Sequence, residues 1–383
     1  MTAVDLPTPT RRGTRADDGY GHARMPRGLA VPEPQRIERV PYGRFRNVYV
    51  YISEACQLRC QHCYMGERLV HPLKMPLPEI VGTLTTWRKM GGSKLTIVGG
   101  EPTLHPDFIA AVHVGRQLGY EQVITTTNGL EPAQRKFRLM QPQDLDYIQV
   151  SLDGGSPDTH DLIRGSGTFE IALTTTAELA TRGFDTRVIC TVSKANENDA
   201  LRLLDIADDL GVSLVKFHVF STIGNGHGNS GMAISPREWV QFCEILERTA
   251  PRYKARVWYQ PAYAPAEKMD RYAAEGYQGC IGRTLDRISI FPDGKCYICS
   301  YLFDTELYFA RMRDGQVTLN QGPNEFDLFT SALANSACGN CKAHACMGGC
   351  PAEEVVMGTS SCKEDGDLVP VCRLWKSSAK PDE

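Results

Sequence analysis

Short runs of β-branched and apolar residues recur along the chain, and amphipathic stretches separate them. The runs occupy residues 47–53 (NVYVYIS), 94–100 (KLTIVGG), 122–129 (QVITTTNG), 147–154 (YIQVSLDG), 186–193 (TRVICTVS) and 214–221 (LVKFHVFS). Between them, stretches such as 77–90 (LPEIVGTLTTWRKM) and 198–211 (NDALRLLDIADDLG) repeat apolar positions at helical spacing. Strands alternating with helices in this way predict right-handed βαβ units and a parallel sheet. Six such units fall short of a closed eight-stranded barrel, so the expected fold is α/β, a partial (β/α)6 TIM-like barrel. Chemistry in parallel α/β folds collects at the C-terminal ends of the strands. The unusual motifs of this chain all follow strands there.

The pattern changes on either side of these runs. Residues 1–45 are rich in Pro, Gly, Arg and Asp without periodicity and are expected to be extended or disordered. After Ser221 comes GNGHGNSG (224–231), read as a flexible glycine loop, and then a helix starting at Ser235 and Pro236. From Cys280 onward a hairpin turned by Pro292-Asp293-Gly294 leads into a small, loop-rich segment held by cysteines. The expected organisation is therefore 1–45 as an N-terminal segment, 46–235 as the barrel, 236–279 as a helical bridge and 280–383 as a cysteine-ligated C-terminal domain.

Composition narrows the partners. Hydrophobic residues make up 42% and charged residues 23%, with a net charge of -3. This balance points to neither nucleic acid nor an anionic membrane. No run approaches the ~20 apolar residues of a spanning helix, and no apolar run follows Arg11–Arg15 (RRGTR) as a signal would require. A cytoplasmic location is expected. In that reducing setting, 14 cysteines read as metal ligands more readily than as disulfides. Twelve are clustered, whereas Cys190 and Cys243 stand apart and read as buried packing residues.

The first cluster is Cys56, Cys60 and Cys63, on the loop after the first strand. A structural zinc site closes with four ligands, and iron–sulfur clusters are usually held by four thiolates. Three thiols on one loop can hold three corners of a 4Fe–4S cube and leave one iron open. Next come Gly99-Gly100-Glu101-Pro102, where glycines admit close backbone approach and a carboxylate can pair with an ammonium group. Asn128 precedes Gly129, and either shapes that turn or polarises the site. Ser151 and Asp153 end the fourth run, and Arg164 precedes a glycine turn. Tyr64 is either a packing residue or an adenine contact, and His62 has a bland reading as a solvent-side shield.

Together these motifs resemble the radical S-adenosylmethionine (SAM) superfamily over roughly residues 46–230. The resemblance implies that SAM fills the open iron of a 4Fe–4S cluster and is reductively cleaved to a 5′-deoxyadenosyl radical that abstracts hydrogen from substrate. It further implies that Glu101 meets the methionine amino group, Arg164 its carboxylate, and Ser151 and Asp153 the ribose. The second cluster, CGNCKAHACMGGC with its flanks, resembles the SPASM extension with two auxiliary 4Fe–4S clusters, one residue short between Cys341 and Cys346. By that resemblance Cys338, Cys341, Cys346 and Cys372 hold the outer cluster, and Cys280, Cys299 and Cys350 the inner one. Its fourth ligand is left open. Cys296 and Cys362 are candidates either for that place or for hydrogen-atom donation. Cys296 joins only if the hairpin twists or bulges. The Cys-x2-Cys pairs at 296/299 and 338/341 also have zinc-ribbon spacing. The implied activity is a radical oxidoreductase or maturase acting on a ribosomal peptide. The alternative is a dehydrogenase or epimerase of a sugar, aminocyclitol or other natural-product intermediate. Implied partners are a flavodoxin or ferredoxin reductant and, for a peptide, a separate recognition protein.

Overall fold

The computed structural model describes residues 40–259, 262–265, 281–330, 350, 352, 355–356 and 368–370. Of the predicted cysteine sites, Cys280, Cys338, Cys341, Cys346, Cys362 and Cys372 lie outside the described residues.

The six predicted strands all form: β1 (Asn47–Ser53), β2 (Lys94–Gly99), β3 (Gln122–Thr127), β4 (Tyr147–Ser151), β5 (Thr186–Val192) and β6 (Leu214–Val219). Helices α1 (Leu77–Lys89), α2 (Phe108–Gln117), α3 (Glu131–Arg138), α4 (Pro157–Arg164), α5 (Thr168–Thr181) and α6 (Leu203–Leu210) connect them. All neighbouring pairs from β1 to β6 are parallel. The helices cover one face, which is buried and mostly apolar: Val48, Val50, Leu95, Ile97, Val123, Ile148, Val188 and Val215 are at most 1% exposed. Burial in β5 alternates strictly, with Arg187, Ile189 and Thr191 of the other face left partly accessible.

The sheet extends past the six predicted strands. Arg256–Tyr259 (β7) pairs parallel with β6, inside the stretch expected to be a helical bridge. It escaped notice because four residues with no fully buried position carry little period-2 signal. The helix before it (Pro236–Thr249) begins as expected, with Ser235 and Glu238 closing a capping box. At the other edge Arg287–Ile290 (β9, with β8 at Tyr263–Pro265) pairs parallel with β1. It then folds back through Pro292-Asp293-Gly294 into β10 (Lys295–Tyr297), followed by β11 (Ala310–Arg313) and β12 (Gln316–Leu319). The sheet of eleven strands among the described residues runs β12-β11-β10-β9-β1-β2-β3-β4-β5-β6-β7 and stays open, because β10 takes the free edge of β9. The hairpin is thus part of the barrel sheet.

A buried cation fixes this junction. Arg68 lies just past the cysteine loop, 4% exposed, and its guanidinium donates to Glu54 (2.5 Å), Asp293 (3.1 Å), Asp304 (3.3 Å) and the carbonyl of Phe303 (2.6 Å). It also sits 4.8 and 4.9 Å from the ring centres of Phe291 and Phe303. Phe291 stacks on Tyr51 of β1 at 4.1 Å. Removing one partner of a buried ion pair strands the other charge, at a cost of about 3–5 kcal/mol. Arg68→Ala is therefore expected to lower unfolding free energy by about that amount. The check is the denaturant transition of the purified variant, and a loss under ~0.5 kcal/mol, the size of an ordinary surface change, would refute the junction role.

Candidate functional site

The cysteine loop leaves β1 at an irregularity between Tyr51 and Ser53, which shifts the register against β2 and re-aims the chain. Gly100 N–H donates to Ser53 O (2.9 Å) and Glu101 N–H to Ala55 O (2.7 Å), so the start of the loop lies directly on the Gly-Gly-Glu-Pro backbone. A Cβ on Gly100 would fall 2.6 Å from the carbonyls of both Glu54 and Ala55, and one on Gly99 would strike Ser53 O. The close approach that needs these glycines is made by the protein's own chain.

The rest of the loop is held by its carbonyls. Arg59 donates to Cys56 O and Leu58 O (both 2.8 Å) and to Leu69 O (2.9 Å). From the segment expected to be a flexible glycine loop, Asn225 donates its backbone N–H to Cys63 O (2.9 Å) and its amide to Cys60 O (3.0 Å). Asn229 donates to Gln61 O (3.1 Å). Gly224, at φ +62°, lies so close to Cys63 and Tyr64 that any Cβ would meet their carbonyls. This segment forms a helical turn (Asn225–Gly228) that clasps the loop. Sequence reasoning missed Arg59, Asn225 and Asn229, because glycine-rich composition reads as flexibility and the partners are more than 160 residues away for Asn225 and Asn229.

Cys60 is buried and Cys56 and Cys63 half-buried, against Leu58 and Leu130. Burial pushes the Cys56 thiol up to about 12 and Cys60 to about 11, and neighbouring cysteines add to both. Such a nest disfavours thiolates unless a cation neutralises them. Three thiols on one loop, with no fourth His, Cys, Asp or Glu ligand grouped with them among the described residues, fit a polynuclear cluster that takes one thiolate per iron and leaves one iron open.

Two buried carboxylates frame the loop. Asp153 is fully buried and accepts from Arg164 Nε (2.5 Å) and Thr191 N–H (2.7 Å), with His62 Nε2 at 2.6 Å. Burial alone would raise its pKa, but Arg164 and His62 outweigh that and hold it well below the carboxylate range. His62 accordingly points inward, opposite to the solvent-side position expected. Arg164 also extends a guanidinium nitrogen to Cys60 Sγ (3.9 Å). Glu101, 1% exposed, accepts at Oε1 from Thr103 N–H (3.1 Å), Thr103 Oγ1 (2.6 Å) and Thr127 Oγ1 (2.9 Å), and at Oε2 from Asn128 N–H (2.8 Å). Three of the four donors crowd onto Oε1 and one reaches Oε2, so Oε2 keeps a second lone pair. Asn128 shapes the turn, its Oδ1 accepting from Leu130 N–H (3.1 Å), and its amide also reaches Cys56 Sγ (3.9 Å). Ser151 ends β4, nearly buried, and its hydroxyl has no hydrogen bond among the described residues. Tyr64 bonds Tyr51 through its hydroxyl (2.6 Å) and packs on Tyr301 and Phe303, the packing alternative.

At the C-terminal hairpin, Cys299 and Cys350 are both half-buried and both act on the Tyr301 hydroxyl, which burial first and these thiols second push upward. Both thiols therefore lie in the neighbourhood of Tyr301. Cys296 does not join them. The hairpin register is regular, pairing Cys296 with Ile290 and Ala310, and the side chain is sealed in the core with its thiol toward Gly294 O (3.6 Å).

Comparison with known proteins agrees with this geometry. The profile of the Radical SAM superfamily matches residues 50–207. The chain is 26% identical over 268 residues to the AdoMet-dependent heme synthase of Methanosarcina barkeri, covering 66% of this chain and 75% of that one. It is 23% identical over 350 residues to the mycofactocin maturase MftC of Mycobacterium tuberculosis, covering 86% and 85%. Among solved structures, Streptococcus suis SuiB bound to S-adenosylmethionine superposes with a TM-score of 0.65 at 15% identity, covering 82% of this chain and 74% of that one. SuiB bound to its precursor peptide SuiA superposes at 0.64. The three-cysteine loop at the end of β1, framed by Glu101 and Asp153 on a parallel α/β sheet, lies within residues 50–207, the part of the chain that matches the Radical SAM superfamily.

Proposed function

We propose that this protein is a radical SAM enzyme with two auxiliary iron–sulfur clusters that modifies a peptide. The carrying observation is the nest of three thiols on one strand-end loop, framed by the buried carboxylates Glu101 and Asp153, which suits a cluster with one open iron. Cys56, Cys60 and Cys63 would hold that cluster. When bound and reduced by one electron, the cluster and SAM supply a 5′-deoxyadenosyl radical that takes a hydrogen atom from substrate. The chain's own residues orient and enclose the pair. The spare lone pair of Glu101 Oε2 suits the methionine ammonium group, and the free hydroxyl of Ser151 suits a ribose hydroxyl. Arg164, already paired through Nε with Asp153, keeps its terminal nitrogens for the Cys60 sulfur and for a carboxylate. Leu58 and Leu130 keep water from the thiols.

Cys280, Cys299 and Cys350 would hold the inner auxiliary cluster, and Cys338, Cys341, Cys346 and Cys372 the outer one. The nearness of Cys299 and Cys350 to Tyr301 supports the first set. A peptide substrate is supported by the breadth of the match to a mycofactocin maturase and by the fold shared with a protein crystallised with its precursor peptide. Flavodoxin or ferredoxin would supply the electron, and a separate protein would present the peptide. The heme synthase relative favours the second reading, a small-molecule dehydrogenase or epimerase.

Anaerobically reconstituted protein with dithionite and SAM should release 5′-deoxyadenosine and bind about twelve irons per chain, four per cluster. A Cys56/Cys60/Cys63→Ala triple variant should lose about a third of that iron and all SAM cleavage. Retained cleavage would overturn the assignment. Asp153→Asn keeps the shape but leaves Arg164, 10% exposed, without its counter-charge. It should destabilise the protein by about 3–5 kcal/mol in denaturant titration. An unchanged midpoint would mean that Arg164 has another sufficient partner.

A further inference from the structure

The face of the sheet opposite the helices is polar and cationic. By register, Tyr49, Lys94, Tyr147, Arg187, Lys216 and Arg287 share it. Strands β1 and β6 stand five places apart, ~24 Å along a flat sheet. Nevertheless, Arg287 and Lys216 both act on the Tyr49 phenol, drawing its pKa down against the effect of burial, so this face brings both cations into the neighbourhood of one ring. That neighbourhood reaches the rim: Arg287 senses the Tyr64 hydroxyl, next to Cys63, and the Cys299 thiol.

The cations here lack the usual partners. Arg187 has Asp185 (2.6 Å), but among the described residues neither Lys216 nor Arg287 has a carboxylate within 4.0 Å. Their partners are uncharged: Arg287 lies 3.9 Å from the centre of Tyr49 and donates to the hydroxyls of Ser289 (3.3 Å) and Ser300 (3.1 Å), and Lys216 Nζ lies 4.5 Å from the centre of Trp258. Burial followed by like charges from Arg287, Lys94 and Arg187 pulls the Lys216 pKa down, with the Tyr49 phenol as the one opposing group. Both residues are half-buried and keep part of their surface accessible. Partly buried cations with no internal counter-charge are costly to the fold. A ligand that brings the anion would relieve that cost.

We propose that Lys216 and Arg287 form a substrate subsite for an oxyanion, a carboxylate or a phosphate, placed on this face beneath the cysteine rim. The subsite deepens the radical SAM reading by restricting the substrate to an anionic class, and its position would orient the far end of that molecule while the near end meets the rim.

The test is isothermal titration of the anaerobically reconstituted protein with glutarate, inorganic phosphate and the neutral isostere glutaramide. Glutarate or phosphate should bind saturably and raise the melting temperature, and glutaramide should do neither. Whichever anion binds at least tenfold tighter identifies the group. Lys216→Met and Arg287→Met should each weaken that binding at least tenfold, while Arg313→Met, whose side chain is 86% exposed, should not. Without anion, Lys216→Met should melt no lower than the parent, since it removes an uncompensated charge. Equal binding of glutaramide, or unchanged binding by both variants, overturns the subsite. A Lys216→Met variant that melts lower in anion-free buffer also overturns it, because the lysine would then be structural. No readout involves SAM cleavage, so failure of the subsite and failure of the radical reading are separable.

Discussion

The Asp153 carboxylate is the contact on which the candidate site depends. It is wholly buried, and it joins His62 of the cysteine loop, Arg164 at the end of α4 and the Thr191 amide on β5. A carboxylate removed from water is tolerable only when such donors replace its hydration. Each partner is in turn placed by it. Arg164 reaches Cys60 only because Asp153 draws its Nε inward, and His62 is turned away from solvent for the same reason. On the opposite side Glu101 performs the corresponding task, binding the ends of β2 and β3 together next to Cys56.

A similar logic joins the C-terminal hairpin to the barrel. Arg68 gathers Glu54, Asp293 and Asp304, which come from three separate stretches of chain. The cysteine loop, the hairpin turn and the segment after Cys299 are thereby fixed relative to one another. Because β9 pairs directly with β1, one sheet carries the hairpin and the three-cysteine loop side by side. Any cluster held near Cys299 would therefore be rigidly placed with respect to one held by Cys56, Cys60 and Cys63.

The two faces of the sheet have opposite chemistry. Under the helices, Val, Ile and Leu are packed almost without exposure, and this burial supplies the driving force for the fold. The other face keeps Tyr, Lys, Arg and His side chains partly accessible. In a closed barrel, layers of branched side chains would fill that interior. Here the sheet stays open, with β10 occupying the free edge of β9, and that face carries polar and charged side chains in place of such layers.

The sequence by itself determined the strand and helix rhythm, because side-chain period and turn chemistry are local properties. It also determined the strand-end location of the motifs, since the parallel order follows from that rhythm. Cys56, Cys60 and Cys63 needed no tertiary information: loop spacing alone made them a three-thiol site. Only the tertiary structure decided which groups fill the two carboxylates, since His62 and Asp153 lie 91 residues apart in the chain. It also decided that GNGHGNSG clasps the loop, because the carbonyls that Asn225 and Asn229 reach are distant in sequence. Cys296 was separated from Cys299 by strand pleat and pairing register. The basic face likewise exists only once the sheet has formed: Lys216 and Arg287 are 71 positions apart in the chain, on strands whose meeting no local pattern encodes.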